Sequence, residues 1–272
     1  MREPVARVRS LAFRRQGASA GERTIPEETP VAFTYDGGTH AVMMATPQDL
    51  EDLAVGFSLT EGIVDMPGDI RDLQVVEDPA GIELRMWLNE ARGGVLRDRR
   101  RHLAGPTGCG LCGIESLAEA VRPVPQVTGG PTVTPAEIVR AMEGLVAFQA
   151  LNRETHAVHA AAFWTREAGI AIVREDIGRH NSLDKLIGAM ARAGVASRDG
   201  LLLLTSRVSV EMVQKAAVAG MPTLVAVSAP TALAVRTAEM AGITLAAVAR
   251  RDGFEVFAHP HRIATEAVAH VA

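Results

Sequence analysis

The chain has 272 residues, 47% hydrophobic and 22% charged, with a formal net charge of −4. That balance is ordinary for a globular protein with a sizeable core, and the length suits two domains. It contains no run of about 18 apolar residues to span a bilayer, and the net negative charge argues against broad nucleic-acid binding.

The opening stretch MREPVARVRSLAFRRQG carries Arg2, Arg7, Arg9, Arg14 and Arg15. No apolar h-region follows, so it does not read as a secretory signal but as a short basic strand or a frayed arm. Segments 29–35, 39–44, 71–77 and 81–88 read as strands, with Asp36-Gly37-Gly38 as a hairpin turn. Thr46-Pro47-Gln48-Asp49 predicts a helix start, with Thr46 as N-cap, Pro47 at the first helical position and an acid in the first turn. That helix runs through LEDLAVGFSLTEG and stops near Gly62. Residues 91–115 are rich in Arg and Gly and weakly periodic, and read as a mobile loop holding the only two cysteines, Cys109 and Cys112. Residues 1–130 therefore form an α+β domain that ends in the CxxC loop.

After the Pro/Gly-rich stretch 121–132 the texture changes, and residues 131–272 form a second domain. Thr134-Pro135-Ala136-Glu137 is a capping box, followed by IVRAMEGLVAFQALN with apolar residues at helical spacing. Strand-like AVHAAAFW and GIAIVRE precede a helix over HNSLDKLIGAMARAG. GLLLLTS, TLVAVS and ITLAAVA then alternate with helices over VEMVQKAAVAG and TALAVRTAEMAG, and FEVFAHP closes as an edge strand. Short apolar strands between glycine-terminated helices are the mark of βαβ units, and runs such as LLLL require both faces to be covered. The expectation is an α/β fold, a three-layer α/β/α sandwich with a smaller α+β N-terminal domain.

In such sheets ligands bind at the carboxyl ends of the strands. Three polar clusters fall there: Arg174 to Asn181 leading into Asp184 and Lys185, then Thr205-Ser206-Arg207, then Ser228-Ala229-Pro230-Thr231. Together they suit a phosphate-bearing ligand with a guanine or ribose group. Neither GxxxxGK[ST] nor a GxGxxG after the relevant strand occurs. Lys185 and Lys215 are the only lysines in the chain, and each lies in or near one of these motifs.

The GCGLCG stretch admits three chemistries. Structural zinc needs four ligands, and one CxxC supplies two; His102, His156 and His159 could complete a site. The order is nevertheless wrong for a zinc deaminase, because two of these histidines follow the cysteines and Ala161 stands where the acid should be. Redox work asks for CxxC at a helix start after a buried strand, whereas RRRHLAGPTG precedes it here. Sulfur carriage asks for an exposed nucleophilic thiol with a second thiol near it. Arg97, Arg99, Arg100 and Arg101 upstream would favour the thiolate.

The stretches GCGLCG (108–113), VHAAAF (158–163), EDIGRHNSLDKLIG (175–188), TSRVSVEMVQKAAVAGMP (205–222), VSAPTALAV (227–235) and FAHPHRI (257–263) occur in this order. In that combination the chain resembles the formate dehydrogenase accessory sulfurtransferase family, FdhD. The resemblance implies a fold like the cytidine deaminase core without its zinc chemistry, and a homodimer. It implies a sulfur carrier that takes sulfur from a cysteine desulfurase as a cysteine persulfide. The sulfur is then delivered to the molybdenum bis(molybdopterin guanine dinucleotide) cofactor for the formate dehydrogenase apoenzyme. That cofactor would be a bound substrate, with no tightly held catalytic metal, no nucleic acid and no membrane involved, in the cytoplasm.

Carried over by position, Cys109 matches the persulfide cysteine and Cys112 its partner. Val248, Ala249, Arg250, Arg251, Asp252 and Gly253 match the stretch assigned to the molybdenum cofactor. Arg179, His180, Asn181, Asp184, Lys185, Thr205, Ser206, Arg207 and Ser228 fall in the motifs around the guanine nucleotide. The glycine pair often found before the HAA strand is replaced by His156-Ala157. The rival reading is a chaperone that binds the cofactor without chemistry at the cysteines; a third is a redox-active thiol protein.

Overall fold

The computed structural model describes residues 2–93 and 123–264. Cys109, Cys112 and Arg97 to Arg101 lie outside the described residues. The basic N-terminus forms β1 (Val5–Arg14), which pairs antiparallel along its whole length with β2 (Gly17–Pro26). Sequence pattern missed β2 because GASAGERTIP buries no apolar face: the ribbon is held by its backbone ladder, and most of its side chains are exposed.

β3 (Thr29–Tyr35), β4 (Gly38–Ala45), β5 (Ile70–Asp78) and β6 (Gly81–Leu88) form a sheet in the order β4-β3-β6-β5. Alternation turns Val31, Phe33 and Tyr35 of β3 and Ile82, Leu84 and Met86 of β6 toward the first core. Helix α1 (Leu50–Thr60) packs there through Leu50, Leu53, Ala54 and Phe57. Thr46 does not cap it. The helix starts behind Asp49, which has φ 52° and makes no side-chain cap bond. The hydroxyl of Thr46 instead accepts from the backbone N–H of Ile177 at 3.1 Å, 131 residues away. A tertiary partner has taken the group that a local signal assigns to the helix.

The second half is a six-stranded sheet ordered β12-β11-β10-β9-β7-β8. Its strands are β7 (His159–Thr165), β8 (Gly169–Asp176), β9 (Leu201–Leu204), β10 (Thr223–Ala226), β11 (Thr244–Arg250) and β12 (Gly253–Ala258). β9, β10 and β11 are parallel, while β7 and the edge strand β12 run antiparallel to their neighbours.

Both faces are covered, as the continuous apolar runs require. Leu202, Leu204, Leu224 and Leu245 face α4 (Arg179–Ala193), α5 (Val210–Val218) and α6 (Ala232–Ala241). Leu201, Leu203, Val225 and Ala246 face α2 (Pro135–Phe148). The reciprocal capping box of Thr134 and Glu137 starts α2. The expected helix through Asn152 breaks at Gln149, and a new one, α3 (Ala150–Thr155), begins. There the Glu175 carboxylate accepts from the N–H groups of Leu151 and Asn152, both at 2.8 Å, and so fixes a second helix start.

α1 and α4 join the two halves by packing almost backbone to backbone. A Cβ on Gly56 would lie 1.7 Å from the carbonyl oxygen of Asp184, and one on Gly188 would lie 1.9 Å from that of Asp52. Only glycine allows this approach. Beside the crossing, Asp52 accepts from Arg174 Nε at 2.8 Å and from Arg192 Nη1 at 2.6 Å.

We expect Gly188→Ala to destabilise the protein by about 3 kcal/mol or more, since the obstacle is backbone that cannot step aside. Gly68→Ala, whose added methyl meets nothing within 4 Å, should stay within about 0.5 kcal/mol. Urea unfolding of the two variants checks the pair; equal losses would mean that the crossing relaxes.

Candidate functional site

β8 and β9 are both antiparallel to β7, so they run parallel to each other, to β10 and to β11. The carboxyl ends of these four strands and the start of β7 thus share one edge of the sheet. That edge receives His159, the turn from Asp176 to Asn181, Thr205-Ser206-Arg207, Ser228 and Val248 to Gly253. The loops stay tied beyond the sheet: Val208 bridges to Pro230 in parallel, and Val248 N–H donates to Ser228 O at 3.4 Å.

Several predicted site residues are occupied by protein partners. Asp176, fully buried, accepts from four donors: Thr46 N at 3.0 Å, Gly178 N at 2.7 Å, Asn181 Nδ2 at 3.0 Å and Lys185 Nζ at 2.7 Å. Lys185 also donates to Thr46 O at 2.9 Å, and Asn181 to Met44 O at 2.8 Å. Asp184 takes Thr60 Oγ1 at 2.7 Å and Lys215 Nζ at 3.0 Å. Lys215 reaches Glu61 Oε1 at 2.8 Å as well. Burial alone would lower the Lys215 pKa, but Asp184 and Glu61 more than offset it and the pKa is raised. The structure therefore does not bring Asp184, Lys185 or Asn181 to the mouth. They join the two halves directly beneath it.

Thr205 and Arg250 have backbone partners too. The Thr205 hydroxyl accepts from Ala160 N–H at 2.8 Å, extending the β7–β9 ladder, and Arg250 donates to the carbonyls of Val227 and Ala249. Ser206, buried, donates to Arg207 O at 2.9 Å. Ser228 is half-buried and Ala249 buried, while Arg207, Arg251 and Asp252 are exposed along the rim.

Val248, a β-branched residue, has φ 54° at a register shift between β11 and β12. That is an uncommon and strained backbone state, of the kind that collects where a ligand is clamped. Gly253, with φ 150°, closes the same irregular turn.

A further polar cluster lies at the start of α4 and α5. Among the described residues, Arg179 Nε, His180 Nε2 and Glu211 Oε2 are buried atoms with no hydrogen-bond partner. Burial, together with Arg179 and Lys215, depresses the His180 pKa to about 4, so its ring is neutral near pH 7. Burial and Arg179 lower the His159 pKa as well. Ser209 and Glu211 were not singled out from sequence, because at the head of an apolar-periodic helix they read as ordinary capping residues.

A family model described as the FdhD/NarQ family matches residues 26–264. The chain is 54% identical over 258 residues to the sulfur carrier protein FdhD of Agrobacterium fabrum, covering 94% of this chain and 95% of that one. It is 52% identical over 257 residues to the sulfur carrier protein FdhD of Brucella abortus, covering 94% and 96%. A crystal structure from Desulfotalea psychrophila, assigned as a formate dehydrogenase accessory protein, superposes with a TM-score of 0.73 at 24% identity. It covers 96% of this chain and 99% of its own, which shows a common fold.

Lys185→Met should cost about 3–5 kcal/mol, because it strands Asp176 as a buried charge; chemical denaturation measures it, and a loss under 1 kcal/mol would contradict the clamp. The folded-state pKa of His180 lies below the ordinary 6.5. Its contribution to stability is thus fully present above pH 6.5 and is lost as pH falls toward 4. Between pH 7 and 5 this amounts to about 1–2 kcal/mol. The loss of melting temperature over that interval should shrink in His180→Gln, and an unchanged loss would assign the pH dependence elsewhere.

Proposed function

The chain belongs to the FdhD/NarQ family, and from that premise we propose that it is a sulfur carrier serving formate dehydrogenase. The observation that carries the reading is the match across residues 26–264, which spans GCGLCG at 108–113. The Cys109 thiolate attacks the outer sulfur of a cysteine desulfurase persulfide. The donor's S–S bond breaks, its own thiolate leaves, and a new S–S bond forms on Cys109, with no net oxidation.

The acceptor is the molybdenum bis(molybdopterin guanine dinucleotide) cofactor, bound as substrate. Passing the outer sulfur on as sulfide takes two electrons. Cys112 supplies them by attacking the inner sulfur and forming a Cys109–Cys112 disulfide, which a cellular thiol then reduces.

The sheet mouth supports the acceptor half of this reading. Arg179, Arg207 and Arg251 offer guanidinium groups to phosphate oxygens. Val248 to Gly253, strained at Val248, gives a backbone irregularity on the same edge. Below it the Asp176 and Asp184 networks hold that edge in place. The carrier acts in the cytoplasm as a homodimer. Among the described residues no helix is long and apolar enough to cross a membrane.

Intact mass after incubation with a cysteine desulfurase and cysteine tests the chemistry. The wild type should gain about one cyanide-labile sulfur atom, and Cys109→Ala should gain none. Equal gain in both would remove Cys109 from the mechanism. Active formate dehydrogenase in cells carrying only Cys109→Ala would favour a cofactor chaperone instead.

A further inference from the structure

The β1–β2 ribbon carries a surface that the sulfur site does not use. It is a separate two-stranded sheet, and all but its last residue lies ahead of residues 26–264, which carry the family match. Its pairs run from Val5–Pro26 to Arg14–Gly17 without a register shift, so it stands about 33 Å long. The rest of the protein holds it at its base. There Glu27 N–H donates to Pro4 O at 2.8 Å, Arg2 donates to the carbonyl of Asp78 at 2.9 Å, and β2 packs beside α3.

Strand alternation gives the outer half of the ribbon two unlike faces. On one, Leu11 stands opposite Ala20 and Phe13 opposite Ala18; Leu11 is 57% and Phe13 78% exposed. On the other, Ser10, Ala12, Ser19 and Gly21 offer only small side chains. A two-stranded ribbon with no layer behind it is marginal in water, and an uncovered leucine and phenylalanine leave apolar area that a partner would remove from water. Arginines frame that patch: Arg14 and Arg15 at the tip, Arg7 and Arg9 toward the base, all exposed.

Charge identifies the complement. Residues 1–26 hold six arginines against two glutamates, a net of +4; the whole chain is at −4, so residues 27–272 carry −8. A basic arm on an acidic body is complementary to a second copy of itself. One face of a ribbon about 33 Å long and about 10 Å wide offers about 330 Å². Two reciprocal contacts, arm and receiving surface counted in both, then bury about 1,300 Å², the size of a specific interface. We propose that the β1–β2 ribbon is an exchange arm that grips a second copy of this chain, with Leu11 and Phe13 as its apolar anchors. This rests on the homodimer in the reading above and assigns the element that makes it.

Sedimentation of the full chain over a concentration series tests it, with circular dichroism confirming that each variant is folded. The proteins are wild type, the double variant Leu11→Asp/Phe13→Asp and a control, Val146→Asp, whose residue is 62% exposed on α2. Wild type should dimerise reversibly, about tenfold more weakly when salt is raised from about 0.1 M to about 1 M. The double variant should raise the dimer Kd about a hundredfold or more, as expected when two apolar anchors are lost, and Val146→Asp should leave it within about twofold. Photo-cross-links from Phe13→benzoylphenylalanine, in a mixture of unlabelled and heavy-isotope-labelled protein, should join a light chain to a heavy one.

If the double variant dimerises as tightly as wild type, or if cross-links stay within single chains, the arm is not the interface and the inference fails, while the homodimer stands. If that dimer is intact but takes less sulfur from a cysteine desulfurase, the ribbon docks the donor instead. If wild type stays monomeric throughout, the inference and the homodimer fall together. The Cys109 mass experiment would still judge the carrier chemistry.

Discussion

Two helices from different halves of the chain meet at Gly56 and Gly188 so closely that neither position has room for a methyl group, and the site depends on that contact. At this separation the groups flanking the crossing come within hydrogen-bond reach of each other. Asp52 takes Arg174 and Arg192 on one side. Thr60, Asp184 and Lys215 close on the other. Asp176, Lys185 and Thr46 close near the start of α4. Each of these networks contains charge removed from water, and such charge is tolerated only when every member is satisfied. The crossing is what lets them be.

The mouth takes its rigidity from this arrangement. Arg179 and His180 begin α4, and its first two turns carry Asn181, Asp184 and Lys185, all fixed to the first half of the protein. Ser209 and Glu211 begin α5, whose Lys215 enters the same network one turn after Glu211. The polar cluster is thus set on two helix starts whose following turns are locked. A binding group is most accurate when it projects from such elements rather than from free loops.

The layer order and most element boundaries were legible in the sequence, because apolar period and glycine punctuation are local signals. LLLL and TLVAV announced a sheet covered on both faces, and FEVFAHP its edge. The failures share one physical origin, in that a tertiary partner claimed a group which local pattern assigns elsewhere. Thr46 looked like an N-cap and instead receives Ile177. Helix α2 looked continuous until Glu175 fixed a second helix start behind Gln149. β2 carried no signal because a two-stranded ribbon needs no buried face. At the site, the strand ends were placed on the correct edge by topology. Which polar groups face outward was not legible, since Arg179 and Lys185 differ in burial and not in pattern.

The two lysines show why residue type alone could not sort binding groups from structural ones. In a chain that otherwise uses arginine for positive charge, Lys185 and Lys215 stand where a compact ammonium meets oxygens from several directions. Lys215 places its three donors on Thr60, Glu61 and Asp184, an arrangement that the flat fork of a guanidinium cannot reproduce. Lysine near a sheet mouth suggests phosphate, yet here the same chemistry is satisfied inside the protein. At the mouth, by contrast, Arg207 and Arg251 are exposed along the rim. Partnering, not the identity of any one residue, separates the lysines of the helix crossing from Arg179 at the mouth, whose buried Nε has no hydrogen-bond partner among the described residues.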